Sequence, residues 1–303
     1  MTDMQILITG GTGLVGRSLI PLLCDRGAQI TVLTRNLARA RQQFHDKIIQ
    51  FCSDLRQFSC LDKFDAVINL AGEPIASHRW SDKHKKLICQ SRWDITEQLT
   101  ILIQGSSSPP AIFISASASG FYGDSGDQLL TESSAAHDEF THQLCLRWEK
   151  LASRAESAIT RVCLLRTGVV LSNDGGAFPA LRKATTFYAG SKIGDGQQFF
   201  PWIHIDDMTN AILWLLETPG CHGPYNLVAP TSIQQADMAK QLGEILHRPT
   251  LLRIPAGLLS LLMGESAVLL LASQRMVPER LLHSGFEFSW PTLTEALHDL
   301  LNA

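Results

Sequence analysis

Tyrosine is scarce in this chain, with three among 303 residues, at 122, 188 and 225. That leaves few positions for chemistry that relies on a phenol. Long apolar runs are missing too. The most hydrophobic stretch, 256–272, is broken by Ser260, Gly264, Glu265 and Ser266, so it reads as a buried or half-buried helix and not a bilayer span. Seven cysteines (24, 52, 60, 89, 145, 163, 221) lie scattered with no C-x-x-C pair. This excludes a zinc ribbon or a dense disulfide framework and fits a reduced, cytoplasmic setting. Basic surplus is absent, with 26 Lys and Arg against 29 Asp and Glu and a net charge of -3, which argues against a nucleic-acid partner. Ile6-Leu7-Ile8 runs straight into glycines, unlike a secretory leader. The expectation is a cytoplasmic monomer or homodimer that takes a small-molecule substrate, without membrane or nucleic-acid partners.

What the chain does have is core, with 45% hydrophobic residues. Short apolar runs at 5–9, 30–33, 48–51, 66–70, 111–115 and 162–165 read as strands. Helical spacing separates them, as in Leu14, Val15, Leu19, Ile20, Leu22 and Leu23, and again across 87–103 and 140–156. Near-continuous apolar strands alternating with helices predict a parallel sheet covered on both faces, an α/β doubly wound Rossmann-type fold. After Arg166 the pattern loosens into glycine-rich segments. The reading is a Rossmann-type domain over 1–170, with segments around 201–228 returning to it. A small α+β substrate-side domain covers 171–303, with a distinct unit at about 248–303.

The first strand runs into Gly10-Gly11-Thr12-Gly13-Leu14-Val15-Gly16. Gly11, Gly13 and Gly16 satisfy G-x-G-x-x-G, and Gly10, Gly13 and Gly16 satisfy G-x-x-G-x-x-G. Glycines there permit a tight turn, close approach of a pyrophosphate, and close helix–strand packing. The helix N-terminus then faces phosphate with free N–H groups and its positive dipole end. The second strand ends Leu33-Thr34-Arg35-Asn36, with Arg39 one turn on and no carboxylate. An acid at that point would bind a ribose 2′-OH, whereas guanidinium suits a 2′-phosphate. The expected cofactor is therefore NADP(H).

Several motifs in chain order carry a family resemblance: Thr9-Gly10 with Gly13 and Gly16, Asp54-Leu55, Asn69-Leu70-Ala71-Gly72, Phe121-Tyr122-Gly123, Leu165-Arg166 and Trp202-Ile203-His204-Ile205-Asp206-Asp207. With them the chain resembles the extended short-chain dehydrogenase/reductase family. Gly72-Glu73-Pro74-Ile75, Ser91-Arg92-Trp93, Trp148-Glu149, Met263-Gly264-Glu265 and Gly285-Phe286-Glu287-Phe288 make it similar to an atypical subgroup. That subgroup comprises nucleotide-sugar epimerase-like proteins of unknown substrate with a C-terminal domain of unknown function. The resemblance implies that Asp54 and Leu55 lie against adenine, that Leu70, Ala71 and Gly72 line the cofactor cleft, and that Ser115 to Ser117 approach the nicotinamide.

The family's usual Tyr-x-x-x-Lys pair, which exchanges a proton with the substrate oxygen as hydride moves, has no match on the helix before the sixth strand. Cys145 and Glu149 stand in the expected register. The substrate-binding serine falls on Ala118, flanked by Ser117 and Ser119. Tyr188-Ala189-Gly190-Ser191-Lys192 matches the pattern literally but lies among glycines that cannot easily form the required helix. Candidate catalytic residues are Tyr122, Ser117, Cys145 and Glu149. Tyr122 reads equally as a packing tyrosine, Cys145 as a small buried hydrophobe and Glu149 as a solvated helix charge. No metal is expected, because Asp206 or Asp207 reads as the cap of the helix that follows. Gln198, Trp202 and His204 are candidate borders of the substrate cleft. Arg253, Arg275 and Arg280 are either anion-binding or surface charges. Two functions follow: an NADP(H)-dependent oxidoreductase or epimerase-like enzyme with altered proton transfer, or a catalytically inactive NADP(H)-binding redox sensor.

Overall fold

The structure is a computed structural model that describes residues 3–45, 47–76 and 78–302. Seven parallel strands form the central sheet: β1 (Gln5–Thr9), β2 (Gln29–Leu33), β3 (Ile49–Cys52), β4 (Ala66–Asn69), β5 (Ile112–Ala118), β6 (Arg161–Thr167) and β7 (Gly223–Leu227). Their order is β7-β6-β5-β4-β1-β2-β3. The chain reverses its direction of travel across the sheet between β1 and β4, and in such sheets ligands bind at the carboxyl ends beside that point.

Alternation along each strand splits the core in two. Ile6, Ile8, Ile68, Ile114 and Leu165 face helices α1 (Leu14–Asp25) and α5 (Ile205–Glu217), meeting Leu19, Ile20, Leu23, Ile212 and Leu216. Leu7, Val67, Phe113, Val162 and Leu164 face the other way, against Leu99 and Ile103 of α3 (Asp82–Gln104) and Ala152 of α4 (Phe140–Ser153). Full burial of each large side chain contributes roughly 1.5–3 kcal/mol, so both faces must be covered for the sheet to stand. α2 (Leu37–Gln43) follows β2.

A second core gathers Leu171, Phe178, Trp202, Ile233, Met238 and Leu242 with Leu293, Leu297 and Leu300 of the last helix. The C-terminal part is tied back to the loop after β5. Arg275–Met276 pairs in parallel with Leu129–Leu130. The backbone N–H of Ser125 donates to the Ser273 carbonyl, and that of Ser273 to Asp124. Among the described residues, no helix is long and apolar enough to cross a membrane.

Several boundaries differ from expectation. The stretch 256–272 is three short pieces, Ala256–Met263, Gly264–Ala267 and Val268–Leu271. It is not uniformly covered, with Leu258, Leu261 and Leu262 exposed at 46, 73 and 62%. Gly264, at φ +65°, breaks the helix. The cap of α5 is neither Asp206 nor Asp207. His204 Nδ1 accepts the Asp206 N–H, while Asp207 accepts the N–H groups of Ser289 and Trp290.

Candidate cofactor cleft and adjoining polar network

The loop after β1 and the loop after β4 touch at the backbone. Gly10 has φ +69°, and a Cβ there would lie 2.4 Å from the Leu70 carbonyl oxygen. A Cβ on Gly16 would lie 2.5 Å from the Cα of Gly11. Both positions therefore require glycine on steric grounds. Gly13 is exposed and caps α1 with no side-chain hydrogen bond, and no acid stands in the first turn. The amides of Leu14, Val15 and Gly16 thus head a helix whose positive end is neither neutralised nor blocked, with Thr12 half-buried before them. This cradle fits a diphosphate.

Beyond β2, the Thr34 hydroxyl accepts the Asn36 N–H, and Asn36 Oδ1 caps α2 by accepting the Arg39 N–H at 3.0 Å. Arg35 and Arg39 are exposed, and neither has an ion-pair partner among the described residues. Beyond β3, Leu55 is buried. Asp54 caps a short 3-10 turn and pairs with Arg56 Nε at 2.8 Å, which holds its carboxyl below the ordinary range.

At the end of β4, Asn69 is a fully buried hub. Its Oδ1 accepts from Thr9 Oγ1 at 2.6 Å, and its Nδ2 donates to Thr96 Oγ1 at 2.8 Å and to Ser115 Oγ at 3.4 Å. Trp148 Nε1 donates to the same Thr96 hydroxyl. This knot fixes β1, β4, β5, α3 and α4 against one another just below the cleft. Leu70 and Ala71 lie half-buried beside it. Gly72 meets the Arg92 guanidinium, which donates to the Ile88 and Glu73 carbonyls.

The catalytic candidates fall into a second, closed network. Glu149 accepts two bonds from Arg166 (Nε and Nη2, 2.9 Å each) and one from Ser117 Oγ at 2.7 Å. Both charged side chains are over 90% buried. Arg166 lies flat on Phe121, 3.4 Å from the ring centroid, and donates to the Tyr122 hydroxyl at 3.0 Å. That hydroxyl also lies 2.7 Å from Asn226 Oδ1 and 3.0 Å from the Thr131 carbonyl. Tyr122 is fully buried, and burial pushes its pKa up to about 12. Cys145 is buried as well, and burial, then Glu149, pushes its thiol up to about 12. The structure thus brings Ser117, Cys145, Glu149 and Tyr122 together, but beneath the surface. Glu149 is no solvated helix charge.

Elsewhere, Tyr188 and Lys192 do not share a helix. Tyr188 sits at φ +60° beneath Arg248, after a helix that ends at Thr186. Gln198, Trp202 and His204 are all buried. His204 does meet Asp206 and Asp299, their ligating atoms lying within 4.8 Å of one another. However, its Nδ1 is committed to the Asp206 N–H and its Nε2 lies 3.3 Å from Asp299. A His–carboxylate contact between α5 and the last helix accounts for the arrangement. Sequence reading missed Asn226 and Glu132, whose Oε1 accepts the Asn226 N–H. It also missed His142 at the start of α4. The last was recoverable, because 142, 145 and 149 form one helical stripe.

Residues 6–227 match the family model described as NAD dependent epimerase/dehydratase family, and 254–300 match a domain of unknown function, DUF1731. An Arabidopsis thaliana protein named "Epimerase family protein SDR39U1 homolog, chloroplastic" is 36% identical over 99% of this chain and 87% of its own length. Bacillus subtilis YfhF, also named an epimerase family protein, is 36% identical over 98% of each. The crystal structure of human epimerase family protein SDR39U1 with NADPH superposes with a TM-score of 0.90 at 31% identity, covering 99% of both chains.

Proposed function

Because the chain belongs to the NAD-dependent epimerase/dehydratase family, we propose that it binds NADP(H) and serves as an oxidoreductase or epimerase-like enzyme of altered proton-transfer chemistry. The observation that carries this reading is the pairing of an unblocked helix N-terminus at Gly13 with two unpaired arginines past β2. The NADPH in the human relative supports the choice of dinucleotide. Gly10, Thr12, Gly13, Leu14, Val15 and Gly16 hold the diphosphate. Arg35 grips the 2′-phosphate, with Asn36 and Arg39 fixing the turn. Asp54 and Leu55 flank adenine, and Leu70, Ala71, Gly72 and Ser115 border the rest of the cleft. Bound there, the dinucleotide supplies a hydride donor or acceptor.

Tyr122, Cys145 and Glu149 are positioning residues in this reading. A phenol with its pKa raised to about 12 by burial, fixed among Arg166, Asn226 and Thr131, holds the turn after β5 and does not trade protons with a substrate. Glu149 neutralises Arg166 and orients Ser117. The closed state of this network favours a second reading, a redox sensor that binds NADP(H) without turnover. Single-turnover oxidation of prebound NADPH by 9,10-phenanthrenequinone, 4-nitrobenzaldehyde and UDP-4-keto-sugars separates the two. Oxidation by any of them above the rate in free solution supports the enzyme, and none across the panel leaves the sensor.

A further inference from the structure

We propose that His142 is the proton donor and acceptor of the cleft, a role that rests on the hydride-transfer reading above. α4 runs with its N-terminus at the carboxyl edge of the sheet, where the cofactor loops lie. Cys145 and Glu149 point from α4 toward Ser117, and His142 continues their stripe one turn nearer that edge. The turn Ser119–Phe121, directly after β5, packs on the same end of α4, with Gly120 against Thr141. His142 Nδ1 lies 2.6 Å from the Phe121 carbonyl oxygen, and its ring meets the Phe121 ring edge-on at 5.3 Å. A carbonyl oxygen can only accept, so Nδ1 carries hydrogen. Nε2 is then the nitrogen that gains and loses a proton. It has no partner among the described residues and is not among the buried unpartnered atoms of this half-buried side chain, so it remains accessible.

This is the arrangement general acid–base catalysis needs, with one nitrogen fixing the ring and the other free. The other ionisable groups nearby are engaged. Arg166 also lies over the Phe121 ring and is paired with Glu149. Glu139, just before α4, accepts from Thr141 Oγ1, and Asp138 accepts from Gln143. Lys85 of α3 lies over the Phe140 ring and pairs with Glu265. His137 is the exception: its side chain is exposed, while its backbone N–H donates to the Tyr122 carbonyl.

In the reducing direction, hydride from the reduced nicotinamide brings two electrons to a carbonyl carbon and the C=O π bond opens. The oxygen takes the proton from Nε2 of the imidazolium. The ring is left neutral with Nδ1–H still on Phe121, and water restores the proton. Oxidation runs the same transfers backward.

The test compares wild type with His142→Asn and His142→Phe. First, titration of the His142 ring by NMR should change when NADP+ is added, and NADPH affinity should be unchanged in His142→Asn. A ring whose titration ignores the cofactor overturns the proposal. Second, single-turnover reduction of 9,10-phenanthrenequinone and 4-nitrobenzaldehyde should fall at least about 100-fold in both variants. The wild-type rate of reduction should decline toward high pH, where a proton donor is lost, and that limb should vanish in His142→Asn. Wild-type turnover retained by both variants overturns the role of His142 while leaving the hydride reading intact. No oxidation of bound NADPH by wild type overturns the hydride reading itself and the proposal with it.

Discussion

At the scale of single residues, two kinds of position carry the account. Gly10 and Gly16 have no room for a methyl group, and Gly10 adds a positive φ. Gly10→Ala should lower Tm by several degrees and abolish NADPH binding, read by differential scanning fluorimetry and calorimetry; a variant that binds normally contradicts the loop assignment. Arg35 works by charge. Its loss should weaken NADPH by about 10- to 100-fold, the value of a charge-assisted bond of ~1.5–3 kcal/mol, while NADH changes little. Tyr122→Phe leaves Arg166 and Asn226 short of a partner in a buried site, which costs about 1–3 kcal/mol. Turnover per folded molecule should be retained within a few-fold. A folded Tyr122→Phe protein with turnover gone would restore the phenol to the chemistry.

At the scale of elements, the strands and the parallel doubly wound class could be read from sequence because both faces of a parallel sheet demand apolar residues. Ile6-Leu7-Ile8 has no other stable home. The glycine loop was equally legible, since its sterics are local. What sequence could not supply was depth. Tyr122 and Glu149 look like polar residues near a cleft. Only the tertiary fold brings Arg166 of β6 and Asn226 of β7 onto them and closes them from water. Likewise, Ala256 to Ala272 looks like one buried or half-buried helix until Gly264 breaks it and three leucines turn outward.

The same network gives an element-scale prediction. Glu132 is buried with Oε2 unpartnered, and burial holds its carboxyl pKa above the ordinary 4.5. A raised folded pKa means that the stability it contributes is complete below the unfolded value and is lost as pH rises through the folded one. Glu132→Gln removes the buried charge while keeping the acceptor for Asn226. The variant should therefore gain on wild type in Tm by a few degrees at pH 8, with the gain shrinking toward pH 4; equal pH profiles contradict the assignment.

At the scale of the whole molecule, the C-terminal segments are structural partners of the nucleotide-binding sheet. Leu297 is fully buried with Trp202, Met238 and Leu242, and Arg275–Met276 pairs with Leu129–Leu130 after β5. Leu297→Ala should cost about 2–5 kcal/mol, measured by urea unfolding. The loss of the second core should also loosen the turn that carries Phe121. In the proposed reading, the glycine cradle, the unpaired arginines and the fixed network beneath them act as one platform for a phosphorylated dinucleotide. The most direct measurement is calorimetry on nucleotide-stripped protein titrated with NADPH and, separately, NADH. The account predicts saturable one-to-one binding of NADPH at least tenfold tighter than NADH. No heat from either dinucleotide, or a preference for NADH, would contradict it.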